Sequence, residues 1–431
     1  MARTWLGAAS LFVVASCNAI NGAGDLEIAP VDALADGGAP PDGATTPPRD
    51  ASIDTYVAGP FTYHRPITLT PVGTAAGPIL VVLPAGFTYA HAKPNGDDLR
   101  FATTAARTDD VPYYIETWGP GSESRVWLRP ASIPADKTLH MFYGNANAGP
   151  ASSFATVFPR AQKTAGSLSP TGPIDVDWFE LSAGDTLTLP AGNLLTIRAA
   201  RVIVNGTIDG NGRGYAGGPA SADGSGPGGG KAAANGSAGG GAGYGGAGGR
   251  GGSDTAGAGG AGGAAYGTDV GDDVAPGSGG AVGGARLGGA GGGGVAIIGW
   301  SVSGSGAIHA NGADGQSPGG QTGAGGSGGG ILLAGSRLEL AGATLVANGG
   351  AGGVVTNAGN DGGGGGSGGR IKLRHASAFL PPASMSVAAG RGADQAGCTA
   401  PGQDGAVGTT NVAQSASLLN GYEATLGPEG P

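Results

Sequence analysis

From Gly226 to Gly294 a glycine stands at nearly every second position, and a backbone this bare has few ways to become a folded protein. Each glycine gives up roughly 0.5–1 kcal/mol more backbone entropy than alanine on ordering, so such a run opposes order by on the order of tens of kcal/mol. Side-chain packing cannot offset that here. Two outcomes are open for the insert at 213–294. It forms long flexible loops, the reading carried into the fold expectation below, or rods whose backbones bond collectively. The triplets "GGAGGRGGS" at Gly245–Ser253 permit the second, because a left-handed helix with three residues per turn sets every third side chain on one edge and lets bare edges pack.

Glycine accounts for 95 of the 431 residues, roughly three times ordinary usage, while charged residues make up only 12%. Collagen is excluded, since no strict triplet register persists and proline numbers 29. A formal net charge of −9 with 22 Lys+Arg argues against a nucleic-acid partner or a polybasic membrane patch.

An internal repeat flanks the insert. "ARVIVNGTIDGNG" (Ala200–Gly212), "WSVSGSGAIHANG" (Trp300–Gly312) and "SRLELAGATLVANGG" (Ser336–Gly350) each join an alternating strand, a glycine, a short apolar pair and a small-residue turn. A second phrase alternates with the first: "GGGGVAIIG" (Gly291–Gly299), "GGGILLAG" (Gly328–Gly335) and "GGRIKLR" (Gly368–Arg374). "MSVAAGRGAD" (Met385–Asp394) reads as a worn terminal copy. A repeat of about 36–39 residues means stacked supersecondary units, each too thin to bury its apolar face alone. The expectation is a glycine-rich β-solenoid over 174–412. Its core is Val202, Val204, Ile208, Val295, Ile297, Ile308, Ile331, Leu333, Leu338, Leu340, Leu345, Ile371 and Leu373, with glycines serving sharp corners and close backbone approach.

The start of the chain sets an expected compartment. Arg3 precedes an apolar run, Trp5–Ala15, too short to span a bilayer and fitting a secretory segment. The run ends in Val14-Ala15-Ser16-Cys17, which resembles the lipobox of bacterial lipoproteins, implying lipidation at Cys17 and a membrane contact through that lipid. Asn18 after the cysteine resembles the sorting pattern for the outer membrane of Gram-negative bacteria. Residues 1–17 are therefore expected as signal and 18–55 as a disordered tether rich in Ala, Asp, Gly and Pro. With Cys17 assigned, Cys398 has no disulfide partner in the chain.

Residues 56–158 hold most of the aromatics and an alternating pattern in Phe61–Thr70, Ile79–Leu83, Leu99–Thr103, Val111–Trp118, Ser124–Arg129 and Thr138–Tyr143. Short strands spaced by Gly, Pro, Asn and Asp turns predict an antiparallel β-sandwich. The strings "YHRPITLT", "DDLRF" (Asp97–Phe101), "PYYIETW" (Pro112–Trp118), "SRVWLR" (Ser124–Arg129) and "MFYGN" (Met141–Asn145) resemble the family of domain of unknown function 2341, over about Phe61–Phe158. The resemblance implies a lectin-like jelly roll in a secreted or surface protein, with Asp98 and Arg100 structural. The fold class expected for the whole is all-β: a sandwich, a linker at 159–173, the solenoid, and a tail at 413–431.

Apparent catalytic motifs carry little. G-x-S-x-G around Ser327 and Ser367 lacks the strand-to-helix elbow, "GPGGGKAAA" has Ala232 where a phosphate loop needs Ser or Thr, and the histidines lack metal-ligand spacing. Asp97, Asp98 and Glu116 are carboxylates of the type a glycosidase pairs. Asp269, Asp272 and Asp273 in "DVGDDVAPG" have the oxygens a Ca²⁺ takes, but the stretch lacks the G-G-x-G-x-D repeat of Ca²⁺-binding β-rolls, so a solvated loop is the favoured reading, no cofactor is expected and Ca²⁺ is the weak alternative. Trp118 and Trp127 are the ligand-binding candidates, since an outward indole stacks on a sugar ring. No reactive side chains converge in the sequence. The expected function is therefore non-enzymatic: a lipid-anchored outer-membrane or cell-surface protein acting in adhesion or envelope structure through a glycan or surface ligand. An extracellular polysaccharide-degrading enzyme on a β-helix and a purely structural envelope protein are the alternatives.

Overall fold

A computed structural model describes residues 60–73, 77–233, 237–253, 257–284, 286–317, 322–355, 361–393 and 400–431. The signal segment with Cys17, the tether and Cys398 lie outside the described residues.

The aromatic-rich segment forms β1 (Tyr63–Val72), β2 (Ile79–Leu83), β3 (Arg100–Ala102), β4 (Tyr113–Thr117), β5 (Ser124–Leu128) and β6 (Thr138–Tyr143). Strands β1, β6 and β3 make one antiparallel sheet and β2, β5 and β4 another. Alternate residues from both, among them Ile67, Leu69, Leu139 and Met141 against Ile79, Val81, Val126 and Leu128, meet in a shared core. The first sheet gains a further strand from the far side of the chain, Gly421–Leu426, which pairs with β1 from Ile67↔Leu426 to Val72↔Gly421. The segment read as a tail is thus part of the sandwich. Its side chains alternate only weakly in hydropathy, but Tyr422, Ala424 and Leu426 pack on the core and cover an edge that would otherwise expose a row of unpaired backbone groups.

The remaining strands, apart from the antiparallel Gly421–Leu426 already described, are parallel. They are β7 (Ala161–Lys163), β8 (Ile174–Asp175), β9 (Trp178–Leu181), β10 (Thr186–Thr188), β11 (Leu194–Val204), β12 (Thr207–Asp209), β13 (Gly294–Ser303), β14 (Ala307–His309), β15 (Gly330–Glu339), β16 (Thr344–Val346), β17 (Arg370–Leu380), β18 (Ser384–Ser386) and β19 (Thr409–Gln414), with Gly421–Leu426 as β20. One sheet runs β7–β9–β11–β13–β15–β17–β19, the other β10–β12–β14–β16–β18. The solenoid thus begins within the segment expected as a linker, because Ala161–Lys163 pairs with Trp178–Glu180. Inward residues stack in register, Ile197 on Ile297 on Leu333 on Leu373, and Leu187 on Ile208 on Ile308 on Leu345. Every solenoid core residue expected from sequence lies in the single apolar cluster between these sheets. Asparagines brace the turn after the short strands: Asn311 N–H donates to Asn211 Oδ1 at 3.2 Å and Asn348 N–H to Asn311 Oδ1 at 2.8 Å.

Glycine segments close each coil, and the insert joins them. They run as rods with few bonds inside any one rod, and each residue bonds to a different neighbour in turn. Along one rod the N–H groups of Gly363, Gly366 and Gly369 donate to Gly353, Gly350 and Ala347. Those of Gly364 and Ser367 donate to Gly239 and Ala242, and those of Gly365 and Gly368 to Gln403 and Ala406. Three directions repeating every three residues are the signature of polyglycine helices packed side by side. The same period governs Gly323–Gly329, whose acceptors alternate among three segments. Of the two outcomes open for 213–294, the described residues show the collectively bonded one rather than flexible loops. Hydrogen bonds between rods replace the missing side-chain packing and satisfy the buried backbone groups. Glycine is needed here for close approach: a Cβ on Gly366 would collide with the carbonyl of Gly326, and one on Gly326 with that of Ala290.

Candidate functional site

Strand β5 shows how the sandwich meets the solenoid. Val126 and Leu128 point into the sandwich core, so Arg125, Trp127 and Arg129 point the other way. That other face is covered. Trp127 is fully buried with Leu80, Val157, Phe158, Trp178, Trp300 and Leu419 in an apolar joint between the two parts. Its indole N–H donates to Glu116 Oε2 at 2.7 Å, and Glu116 Oε1 accepts from Arg201 Nε of β11 at 2.7 Å. Arg129 reaches Asp177 at 2.7 Å. Trp127 is therefore an interior joint residue and not a stacking surface, which corrects its reading as a ligand contact. Glu116 is held between an indole and a guanidinium, a structural engagement. The signal was present in "ILVVL" at Ile79–Leu83: a strand apolar at every position is buried on both faces.

Trp118 lies differently. It is half-buried at the end of β4 and packs edge-on against Tyr89 and Phe87, with centroids at 5.0 and 6.3 Å. With Thr117, Gly119, Ser122, Glu123 and Arg125 it lines an open hollow of about 400 Å³. Glu123 and Arg125 are fixed in place by a four-membered charge ring with β15. Arg125 Nε bonds Glu123 at 2.9 Å and its Nη2 bonds Glu339 at 2.6 Å, while Arg337 Nη2 bonds both Glu123 and Glu339 at 2.9–3.0 Å. Burial works against the charge of Glu339, but the hydrogen bond and charge of Arg125, joined by Arg337, outweigh it and hold that carboxyl below its ordinary value. The Trp118 indole nitrogen has no hydrogen-bond partner among the described residues.

The acidic loop has cations of its own. Asp269, Asp272 and Asp273 pair with Arg370, Arg374 and Lys372, the outward residues of β17, whose neighbours Ile371 and Leu373 point into the solenoid core. Lys372 Nζ also bonds the carbonyls of Gly271 and Asp273 at 2.8 and 2.5 Å, and Arg374 Nη2 those of Val270 and Gly271 at 3.0 Å. These bonds strap the insert onto the sheet. The loop is thus an internal ion-pair strap rather than the solvated loop expected, and three carboxylates already paired with three basic side chains do not favour the Ca²⁺ alternative. Burial opposes ionisation of Asp272 and Asp273, yet Ser417 and Arg374 for the first, and Thr268 and Lys372 for the second, hold both below the usual aspartate range. Among the described residues no three or more His, Cys, Asp or Glu are grouped to hold a metal ion.

The other candidates are dispersed. Asp98 is buried and accepts from the backbone of Lys93 at 2.8 Å and of Gly144 at 2.7 Å, and Arg100 donates to the carbonyls of Leu99 and Gly149. Both are structural, as the resemblance implied. Asp97 is half-buried and joins neither Asp98 nor Glu116 in a paired arrangement. Ser327 and Ser367 lie buried inside the glycine rods, where Ser327 Oγ accepts from Ser278 N–H at 2.8 Å and Ser367 Oγ from Tyr244 N–H at 2.9 Å. Sequence reading missed a polar group at the mouth of the sandwich, where Arg65, His91 and Tyr143 surround Glu429.

Residues 95–169 match the family described as Domain of unknown function (DUF2341), so the chain contains a domain of that kind. The match begins inside the sandwich and runs past Phe158 through β7. No curated protein and no solved structure matches the chain.

Proposed function

We propose that this chain is a lipid-anchored surface protein of a Gram-negative envelope, acting in adhesion or envelope structure by binding a glycan at Trp118. The hollow beside Trp118 carries the reading. It sets an aromatic edge against the hydroxyls of Thr117 and Ser122 and a charged pair locked by β15, and it needs little ordering before a ligand enters. The lipobox-like Val14–Cys17 and the tether of 18–55 support the envelope location. The coils and glycine rods support a presenting role, because they commit buried polar groups to a rigid lattice that holds the sandwich at a fixed orientation.

A glycan array probed with the form lacking residues 1–17 tests this. Retention of a glycan without shortening, lost in Trp118→Ala, is the expected result. Retention unchanged in Trp118→Ala rejects the site, and a shortened glycan rejects the non-enzymatic reading. A purely structural role is the second reading, favoured by the extent of the glycine lattice, and silence of the whole array would select it.

A further inference from the structure

Beyond Leu426 the chain keeps to β1. Gly427 N–H donates to the carbonyl of Pro66 at 2.8 Å, and Gly430 and His64 exchange backbone bonds at 2.9 and 3.0 Å. Between these anchors Pro428 and Glu429 leave the ladder, and Glu429 enters the mouth of the sandwich. Its Oε1 lies 2.8 Å from His91 Nδ1, while Oε2 accepts from the Tyr143 hydroxyl and from Arg65 Nη2 at 3.4 Å. Arg65 Nε donates to Tyr143 Oη at 3.0 Å and lies 5.3 Å over the ring of Phe87, which fixes the guanidinium. Tyr63 stacks flat on His91, with centroids at 3.9 Å and planes 3° apart.

All three donors belong to the sandwich, on β1, on β6 and in the turn Tyr89–His91, whereas the acceptor comes from a segment more than 280 residues away in sequence. Tyr143 is fully buried and the Arg65 side chain is 16% exposed. Without the Glu429 carboxylate, Arg65 keeps its bonds to the Tyr143 hydroxyl and to the Gly427 carbonyl, while the Tyr143 hydroxyl, Arg65 Nη2 and His91 Nδ1 lose the acceptor they share. Their geometry suits the two oxygens of one carboxylate. The segment that carries Glu429 is held by the three backbone bonds above and by Arg65 Nη1 on the Gly427 carbonyl at 3.1 Å, and departure of the Glu429 side chain leaves the six pairs between β1 and β20 in place.

We propose that Arg65, His91 and Tyr143 form a second ligand site, separate from the hollow at Trp118, which takes the carboxylate of an acidic sugar, and that Glu429 is its resident competitor. The flat stack of Tyr63 on His91, both half-buried at the rim of this group, favours a uronate ring over an acidic peptide side chain. A competitor in the same chain acts at an effective concentration near millimolar, so its removal unmasks the site.

Calorimetric titration with glucuronate tests this on wild type, Glu429→Gln and Arg65→Gln/Glu429→Gln. The expected result is binding by Glu429→Gln at least about tenfold tighter than by wild type, none with glucose, and loss in the double variant. Equal affinity in wild type and Glu429→Gln, no binding by a Glu429→Gln protein with native near-UV circular dichroism, or preference for N-acetylglutamate over glucuronate would overturn it. Should Glu429→Gln misfold, wild type decides. Millimolar glucuronate should move the amide resonances of Gly427 and Gly430 in nuclear magnetic resonance spectra, and unmoved resonances reject the site.

Discussion

Glu116 of the sandwich and Arg201 of the solenoid meet at 2.7 Å in the joint between them, with side chains only 11% and 6% exposed. The same carboxylate holds the indole of Trp127, so one residue ties an aromatic of β5 to a cation of β11. Removing either charge leaves the other buried without its partner, which costs about 3–5 kcal/mol. Arg201→Met is expected to lower the unfolding midpoint by several degrees, and Arg201→Met with Glu116→Gln to lower it by less than the two single changes together. A double-mutant cycle by thermal unfolding checks this, and strictly additive effects would show that the pair is not coupled.

Acid should loosen the molecule at identifiable carboxylates. Burial raises the Glu429 carboxyl, but hydrogen bonds from Tyr143, His91 and Arg65 together hold it below the ordinary 4.5, and Glu339, Asp272 and Asp273 are likewise depressed. An unfolded chain then takes up protons at a higher pH than the folded one does. The stability these groups contribute is complete above about pH 4.5 and is lost as pH falls through their lower folded values. Midpoints measured at pH 7 and pH 5 should agree closely, with a steep fall by pH 3. A midpoint unchanged at pH 3 would contradict these assignments.

Calcium offers a simple test of the strap. Because Arg370, Lys372 and Arg374 engage Asp269, Asp273 and Asp272, millimolar Ca²⁺ or a chelator should leave the unfolding midpoint unchanged. Lys372→Met should lower it, since Lys372 is 1% exposed and its ammonium serves two backbone carbonyls. A rise of several degrees with Ca²⁺ would reinstate a metal at this loop.

Lipidation at Cys17 is tested in cells. Palmitate label should appear in the wild-type protein, vanish in Cys17→Ser, and depend on processing sensitive to globomycin. Label persisting in Cys17→Ser would remove the proposed anchor.

Much of the fold was legible because period and residue type agree. Val202, Ile297, Leu333 and Leu373 stand in short apolar phrases that recur after glycine, and such phrases can bury their apolar face only by stacking. Of the joint only the two-sided burial of Ile79–Leu83 was legible, not what covers it. The alternation Arg125-Val126-Trp127-Leu128-Arg129 states that two faces differ but not what covers each, and Trp178 and Trp300 reach it only through the solenoid register. Strand β20 was missed for a related reason: its partner β1 lies at the other end of the chain, and no local pattern carries that pairing. At the candidate sites, the structural role of Asp98 could be read from the resemblance. Glu429 could not, since a lone carboxylate becomes meaningful only when Arg65, His91 and Tyr143 surround it.

The glycine rods can be tested one residue at a time. A Cβ on Gly366 would strike the backbone of Gly326 and Ser327, which cannot turn aside as a flexible side chain can, so Gly366→Ala should destabilise by about 1–3 kcal/mol. Gly86 has open space around its Cβ position, and Gly86→Ala should be neutral or slightly stabilising. Equal effects of the two changes in thermal unfolding would show that Gly366 is not in a packed lattice.

Amide hydrogen exchange across Gly323–Gly329 and Gly363–Gly369 bears most directly on a lattice held chiefly by backbone bonds. Protection comparable to that of β15 and β17, persisting for hours at neutral pH, is the result this account predicts. Exchange of those glycines at the rate of an open chain, with the strands still protected, would contradict it.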